Sequence, residues 1–184
     1  MAWLQQQEDR GQIHLRYFDE SGVSLTPVVP YGWQPIGETH RIPCQRSPRL
    51  NLLGFMGRNN ELFFQTSEQS VKADTVIAAF DAFAEDYCSS EFKHSGKFCF
   101  VVLDNASMHR SKAFTAKMED WLIRGVIPRF IPPYCPELNL IEILWRKIKY
   151  EWLPMSAYQS FDRLKQSVNG VLENVGRKFF ITFA

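Results

Sequence analysis

Three acidic residues stand among neighbours that suggest chemistry: Asp19 in "YFDESG", Asp104 in "VVLDNASMHRS" and Glu142 in "PPYCPELNLIEILWRKIK". Asp19 and Asp104 each fall where a strand-like run stops, and Glu142 sits on the flank of a helix entered through a proline-rich turn. Carboxylates brought together repel and raise one another's pKa unless a cation lies between them. Mg²⁺ suits such a set, because it takes a few carboxylates and completes its shell with water and phosphate oxygens. Two such ions, about 3.5–4 Å apart, activate an attacking water and stabilise a leaving oxygen in phosphodiester cleavage. Taken singly, each acid has an ordinary reading: the aspartates as turn formers at strand ends, Glu142 as a surface partner of Arg146. Only convergence makes them a site.

Their neighbours extend the pattern. Arg146 and Lys149 share the helix flank of Glu142 and suit contacts to DNA phosphates, which position a duplex without reading its sequence; a solvated helix face is the alternative. Asn105 and His109 follow the second acid and are candidates to orient water or phosphate, with a structural or capping role favoured for His109. Trp33, set among prolines, either stacks on a base or fills a gap beneath its loop, and packing is the stronger reading. Trp121, Trp145 and Trp152 lie on apolar helix stripes and belong to the core.

The elements that must position these residues follow from periodicity. "IHLRYFDESG" at 13–22 alternates as a strand and closes on Ser21-Gly22, which reads as a turn. Residues 23–48, rich in proline, exclude helix. Residues 49–67 read as a hairpin turning at Gly57-Arg58-Asn59-Asn60. A helix follows, with Val71, Thr75, Ala78, Ala79 and Ala82 near one face beside Phe83. "GKFCFVVL" is a strand buried on both faces, ending at Asp104. Then come a helix from Ser111 to Gly125, the short strand "VIPRFI", and a stretch where Pro132, Pro133 and Pro136 exclude helix until Asn139. A helix carrying Ile141, Leu144, Trp145, Ile148 and Trp152 runs to Pro154, and a last one carries Phe161, Leu164, Val168, Val171 and Leu172 inward. This order predicts an α/β fold, a mixed sheet covered by helices, in a single domain over residues 1–184.

Composition narrows the function classes. The 184 residues are 45% hydrophobic, 14% aromatic and 22% charged, the profile of a packed globular protein. A net charge of +1 means that any surface for a polyanion must be local. The longest apolar run, "FCFVVL", is too short to span a membrane and the polar start lacks a signal-peptide layout, so a cytoplasmic protein is expected. Cys44, Cys88, Cys99 and Cys135 show no zinc spacing and read as free thiols, Cys99 inside a buried strand.

Together, the three acidic motifs resemble the catalytic core of a DDE transposase, in the bacterial insertion-sequence branch of the mariner superfamily. The run from Pro132 through Trp145 is the most specific, and "FFITFA" resembles a family C-terminus. Asp19, Asp104 and Glu142 match the first, second and third acids; positions 19 to 104 and 104 to 142 lie 85 and 38 apart. The resemblance implies a ribonuclease-H-like fold and Mg²⁺ or Mn²⁺, two ions, held by those acids. It also implies hydrolysis at transposon ends followed by attack of the freed hydroxyl on target DNA, usually at TA dinucleotides. Implied partners are transposon-end and target DNA and a second copy of the chain as a homodimer, in a bacterial cytoplasm and on the nucleoid when bound. Two departures stand out. Only a dozen residues precede the first strand, so the family's N-terminal helix-turn-helix region is expected to be absent and its role filled by a separate polypeptide or an upstream segment joined by frameshifting. Leu140 also replaces a proline commonly found before the third acid. The alternatives are a non-catalytic transposase remnant that binds DNA or dimerises, and a ribonuclease-H-like or resolvase-type nuclease.

Overall fold

The computed structural model describes residues 1–28, 36–37, 45–133 and 135–183; Trp33 and Cys44 lie outside the described residues. In chain order the elements are α1 (Ala2–Asp9), β1 (His14–Val23), β2 (Leu50–Met56), β3 (Leu62–Ser67), α2 (Ala73–Tyr87), a π-helical turn (Cys88–Phe92), α3 (Lys93–Ser95), β4 (Cys99–Leu103), α4 (Lys112–Ile123), β5 (Val126–Phe130), a 3₁₀ turn (Pro136–Leu138), α5 (Ile141–Lys147), a second π-helical turn (Ile148–Trp152), a 3₁₀ turn (Met155–Gln159) and α6 (Phe161–Leu172). The five strands form one mixed sheet in the order β3-β2-β1-β4-β5. β1 and β2 are antiparallel, as are β2 and β3, while β1, β4 and β5 run parallel. Pro128 is tolerated because β5 is an edge strand, where a missing N–H breaks no ladder on the outer side.

Helices cover both faces, so the sheet is the middle of three layers. On one face α2 and α4 enclose an aromatic cluster of Phe18, Phe55, Phe80, Phe83, Phe114 and Trp121. Phe55 and Phe83 stack with centroids 4.3 Å apart, and Phe18 packs on Phe55 at 4.6 Å and Phe80 at 4.8 Å. Such ring pairs contribute about 0.5–1.5 kcal/mol each beyond area burial, which fixes the middle of β1 from behind. On the other face α5 and α6 cover Leu15, Tyr17, Leu52, Met56 and Val102 with Ile141, Leu144, Trp145, Leu164 and Val168. The pleat separates the two sets: odd-numbered Leu15 and Tyr17 of β1 face α5 and α6, whereas Phe18 faces α2.

Several expectations change in detail. β1 does not turn at Ser21-Gly22 but continues to Val23, paired throughout with β2, so Asp19 lies inside a strand. Gly22 there provides close approach rather than a turn, since a Cβ would come within 2.0 Å of the Arg49 Nε. α2 buries Val76, Ala79, Phe80 and Phe83 and leaves Ala78 exposed, because bringing two phenyl rings inward outweighs burying methyl groups. Pro136 opens a 3₁₀ turn before Asn139, a position where its missing N–H costs nothing. The third-motif helix widens into a π turn after Lys147, and Trp152 is half-buried against Phe179, with ring centroids 4.9 Å apart. The short α1, unforeseen in the polar start, has no buried residue of its own and is held by Arg58, which pairs with Glu8 at 2.6 Å and with Asp9.

Candidate active site

Strand register brings the first two acids together. The parallel pairing of β1 with β4 ends at Tyr17 opposite Val102; two residues on, Asp19 continues β1 and Asp104 directly follows β4. Asp19 remains laddered to Gly54 of β2 on its other side. The third acid comes from α5, which lies across β1 and β2 and carries Glu142 exposed in its first turn.

Two cavities meet at Glu142. One, about 450 Å³, is lined by Asp104, Asn105 and Glu142 against a wall of Ile131, Pro132, Pro133 and Pro136. The other, about 230 Å³, is lined by Asp19, Ser21, Glu142, Trp145, Arg146 and Lys149. Each of the three acids therefore lines one or both of two cavities that share Glu142, one with an apolar wall and the other with basic side chains.

The electrostatics show three acids that sense each other. Burial, reinforced by Glu20, Asp104 and Glu142, pushes the Asp19 carboxyl up to about 7. Burial and the nearby Asp104 also raise Glu142. Asp104 moves the other way, held below the usual carboxylate range chiefly by its hydrogen bond with His109. Burial disfavours charge on His109, but its bonds to Asp104 and Glu20 outweigh that and pull it up to about 10. The imidazolium thus donates from Nδ1 to Asp104 Oδ1 at 2.7 Å and from Nε2 to Glu20 Oε1 at 2.9 Å, with only 1% of its surface exposed. Lys149 is held below its ordinary value by burial and by Arg49 nearby, with Asp19 opposing.

Each predicted site residue can now be placed. Asp19, Asp104 and Glu142 line the two cavities that share Glu142; Arg146 and Lys149 line the one beside Asp19; Asn105 donates to the Ile131 carbonyl and ties the loop after β4 to the end of β5. His109 is buried behind Asp104. Sequence reasoning missed Glu20 as the second partner of His109; its one signal was its place beside Asp19, pointing to the opposite face. It also took Trp145 for core alone, whereas its Nε1–H donates to Asp19 Oδ2 at 3.1 Å. Asn139, 3% exposed, donates from Nδ2 to the Phe18 carbonyl at 2.9 Å and had drawn no attention.

The donor set suits a hard divalent cation in its chemistry, since all three side chains offer carboxylate oxygens. Asp104 uses Oδ1 for both His109 and the Ala106 amide, leaving Oδ2, like both oxygens of Glu142, without a partner among the described residues. Asp104 is thus oriented through one oxygen and open at the other, as carboxylates that ligate metals commonly are. The side chains are not drawn in to a single point: among the described residues no group of three or more His, Cys, Asp or Glu is close enough to hold an ion as it stands.

A mixed sheet of this order with helices on both faces defines a ribonuclease-H-like fold. Residues 14–165 match the family model described as DDE superfamily endonuclease, and the chain belongs to that family. It is similar to the crystal structure of the Mos1 mariner paired-end complex with Mn, with a TM-score of 0.64 at 13% identity over 94% of this chain and 52% of that one. Against the Mos1 strand transfer complex the TM-score is 0.58 at 12% identity, covering 94% and 51%. The catalytic domain of Mos1 mariner transposase gives 0.61 at 14% identity, covering 94% and 76%. The chain thus spans about half the length of the Mos1 chain in those complexes. No curated protein matches the sequence. Among the described residues no helix is long and apolar enough to cross a membrane.

Proposed function

We propose that this chain is the catalytic core of a transposase, which cleaves DNA at transposon ends and joins the freed strand to target DNA at TA sites. The observation that supports this reading is the placement of Asp19, Asp104 and Glu142, from three separate parts of the chain, along two cavities that share Glu142. These acids are the ligands for two Mg²⁺ or Mn²⁺ ions, which when bound activate the attacking oxygen and offset charge on the leaving one. His109 keeps Asp104 ionised and oriented; Arg146 and Lys149 hold backbone phosphates beside the acids, and Asn105 keeps the loop carrying Asp104 against β5. Support for DNA and metal as partners comes from the Mos1 structures, which include a paired-end complex with Mn and a strand transfer complex. The active form is a homodimer, and recognition of the ends falls to a helix-turn-helix segment, on a separate polypeptide or joined from an upstream frame. The protein works in the bacterial cytoplasm, on the nucleoid when bound to DNA.

The test is nicking of a duplex carrying the element's ends in the presence of Mn²⁺. Asp19→Ala, Asp104→Ala and Glu142→Ala should each abolish it while the protein stays folded. Undiminished cleavage by the three variants overturns the assignment, and a wild-type chain that binds no Mn²⁺ identifies a decayed scaffold instead.

A further inference from the structure

Asn139, just before α5, and Glu142 and Trp145, neighbours three residues apart on it, follow one another along the entry to the helix. The middle one is the third acid. The outer two both donate to β1, at adjacent residues: Asn139 Nδ2 to the Phe18 carbonyl at 2.9 Å, and Trp145 Nε1 to Asp19 Oδ2 at 3.1 Å. Both donor side chains are buried, with Asn139 3% and Trp145 4% exposed; the Asn139 bond lies in the interior, while the Trp145 bond reaches an acid at the edge of the cavity.

The sheet is cut to receive this arrangement. Gly54 faces Asp19 directly across the β1–β2 ladder. A Cβ there would come within 2.9 Å of Trp145 Cη2 and 3.1 Å of Ile141 Cδ1, tighter than ordinary contact. A glycine within a strand weakens it and marks the close approach of another group. Here that group is the indole, which lies on the bare α-carbon with its N–H directed at the acid on the neighbouring strand.

We propose that Asn139, Trp145 and Gly54 form a clamp that fixes the distance between the first and third acids, so that the interval is set by the protein before any metal arrives. This rests on the reading of Asp19 and Glu142 as metal ligands. All three are positioning residues: Asn139 and Trp145 pin α5 to β1 on either side of Glu142, and Gly54 admits the indole. Losing an outer partner of this kind lowers metal affinity by about 10–100-fold in metal sites generally.

The experiment measures Mn²⁺ binding by calorimetry on the metal-free full chain, with thermal unfolding as the check on folding. Trp145→Phe keeps an aromatic ring and removes the donor; Asn139→Ala removes the other bond; Gly54→Ala leaves both donors and displaces the indole. Each should bind Mn²⁺ about 10-fold more weakly while unfolding cooperatively, and in end nicking kcat should fall with little change in KM for DNA. Because phenylalanine lacks Cη2 and Cζ2 of the indole, Gly54→Ala should weaken Mn²⁺ binding less in the Trp145→Phe background than in wild type, with only the Ile141 Cδ1 contact at 3.1 Å remaining. A purely structural role lowers the melting temperature and leaves the Mn²⁺ affinity of the folded protein within about twofold of wild type; that result in the variants overturns the clamp. Asp19→Ala, run in parallel, separates the two failures. If it abolishes Mn²⁺ binding while the clamp variants keep it, only the clamp is wrong; if it too leaves binding intact, the assignment of the acids fails first.

Discussion

At the scale of single residues, the site is a balance between acids that burial would keep neutral and cations that keep them charged. Asp104 and Asp19 show the two outcomes side by side. Asp104 has the buried imidazolium of His109 against it and is held ionised; Asp19 has a neutral indole donor, more burial and three carboxylates nearby, and retains its proton up to about 7. A folded-state pKa raised above the unfolded value of 3.8 means that the native protein binds the Asp19 proton more tightly than the unfolded chain does. The Asp19 contribution to stability therefore falls as pH rises from about 4 to about 7, and the loss persists above that. Asp19→Asn mimics the protonated acid and can still accept from Trp145. In the presence of a chelator its melting temperature should match wild type near about pH 4 and exceed it at about pH 8, the gap opening between those values. Equal melting curves at the higher pH would mean that Asp19 is not raised at all.

At the scale of elements, the sequence is legible where one face of an element is apolar and the other is not, and less so where a backbone contact decides. The strand ending at Asp104, the hairpin turning at Asn60 with its φ of +63°, and α4 capped by Ser111 follow from periodicity and turn chemistry. The continuation of β1 past Gly22 does not, because what extends it is the ladder to β2 and the Arg49 side chain crossing the bare α-carbon. The approach of Trp145 to Gly54 is likewise a tertiary fact: an apolar stripe says that the indole is buried, never that its N–H finds an acid on another element. Glu20 was hidden for a related reason, since its partner His109 is 89 residues away. One connection was readable and is testable. Gly125 ends the turn between α4 and β5 at φ +86°, and a Cβ there would sit 2.4 Å from the Phe92 ring. Gly125→Ala combines left-handed strain of about 1–2 kcal/mol with displacement of that ring. Chemical denaturation should show a loss of at least about 2 kcal/mol, against about 1 kcal/mol for removing the Ser111 cap; a loss no larger than that of Ser111→Ala would show that the turn relaxes freely.

At the scale of the whole molecule, both ends of the described chain are fastened to one place, the turn between β2 and β3. Arg58 in that turn holds α1 through Glu8 and Asp9. Two residues on, Asn60 holds the C-terminal segment: its Nδ2 donates to the Ile181 carbonyl at 3.0 Å, and its Oδ1 accepts from the Ile181 N–H at 2.6 Å. Ile181 is thereby seated in the same apolar cluster as α5 and α6, with 4% of its surface exposed. The fold thus closes over the face that carries Glu142 by joining the last residues to a hairpin far from the acids in sequence. Asn60→Gly removes the amide without backbone strain, because glycine accepts φ +63°, so the loss is that of the two hydrogen bonds together with a smaller chain-entropy cost. At about 1 kcal/mol for each bond, the variant should be destabilised by about 2 kcal/mol and its C-terminal segment should be cut faster in limited proteolysis, with the central sheet protected as before. If the segment resists protease as it does in the wild type, Ile181 and its apolar neighbours hold the C-terminus unaided, and the polar clip is incidental to the closure of the fold.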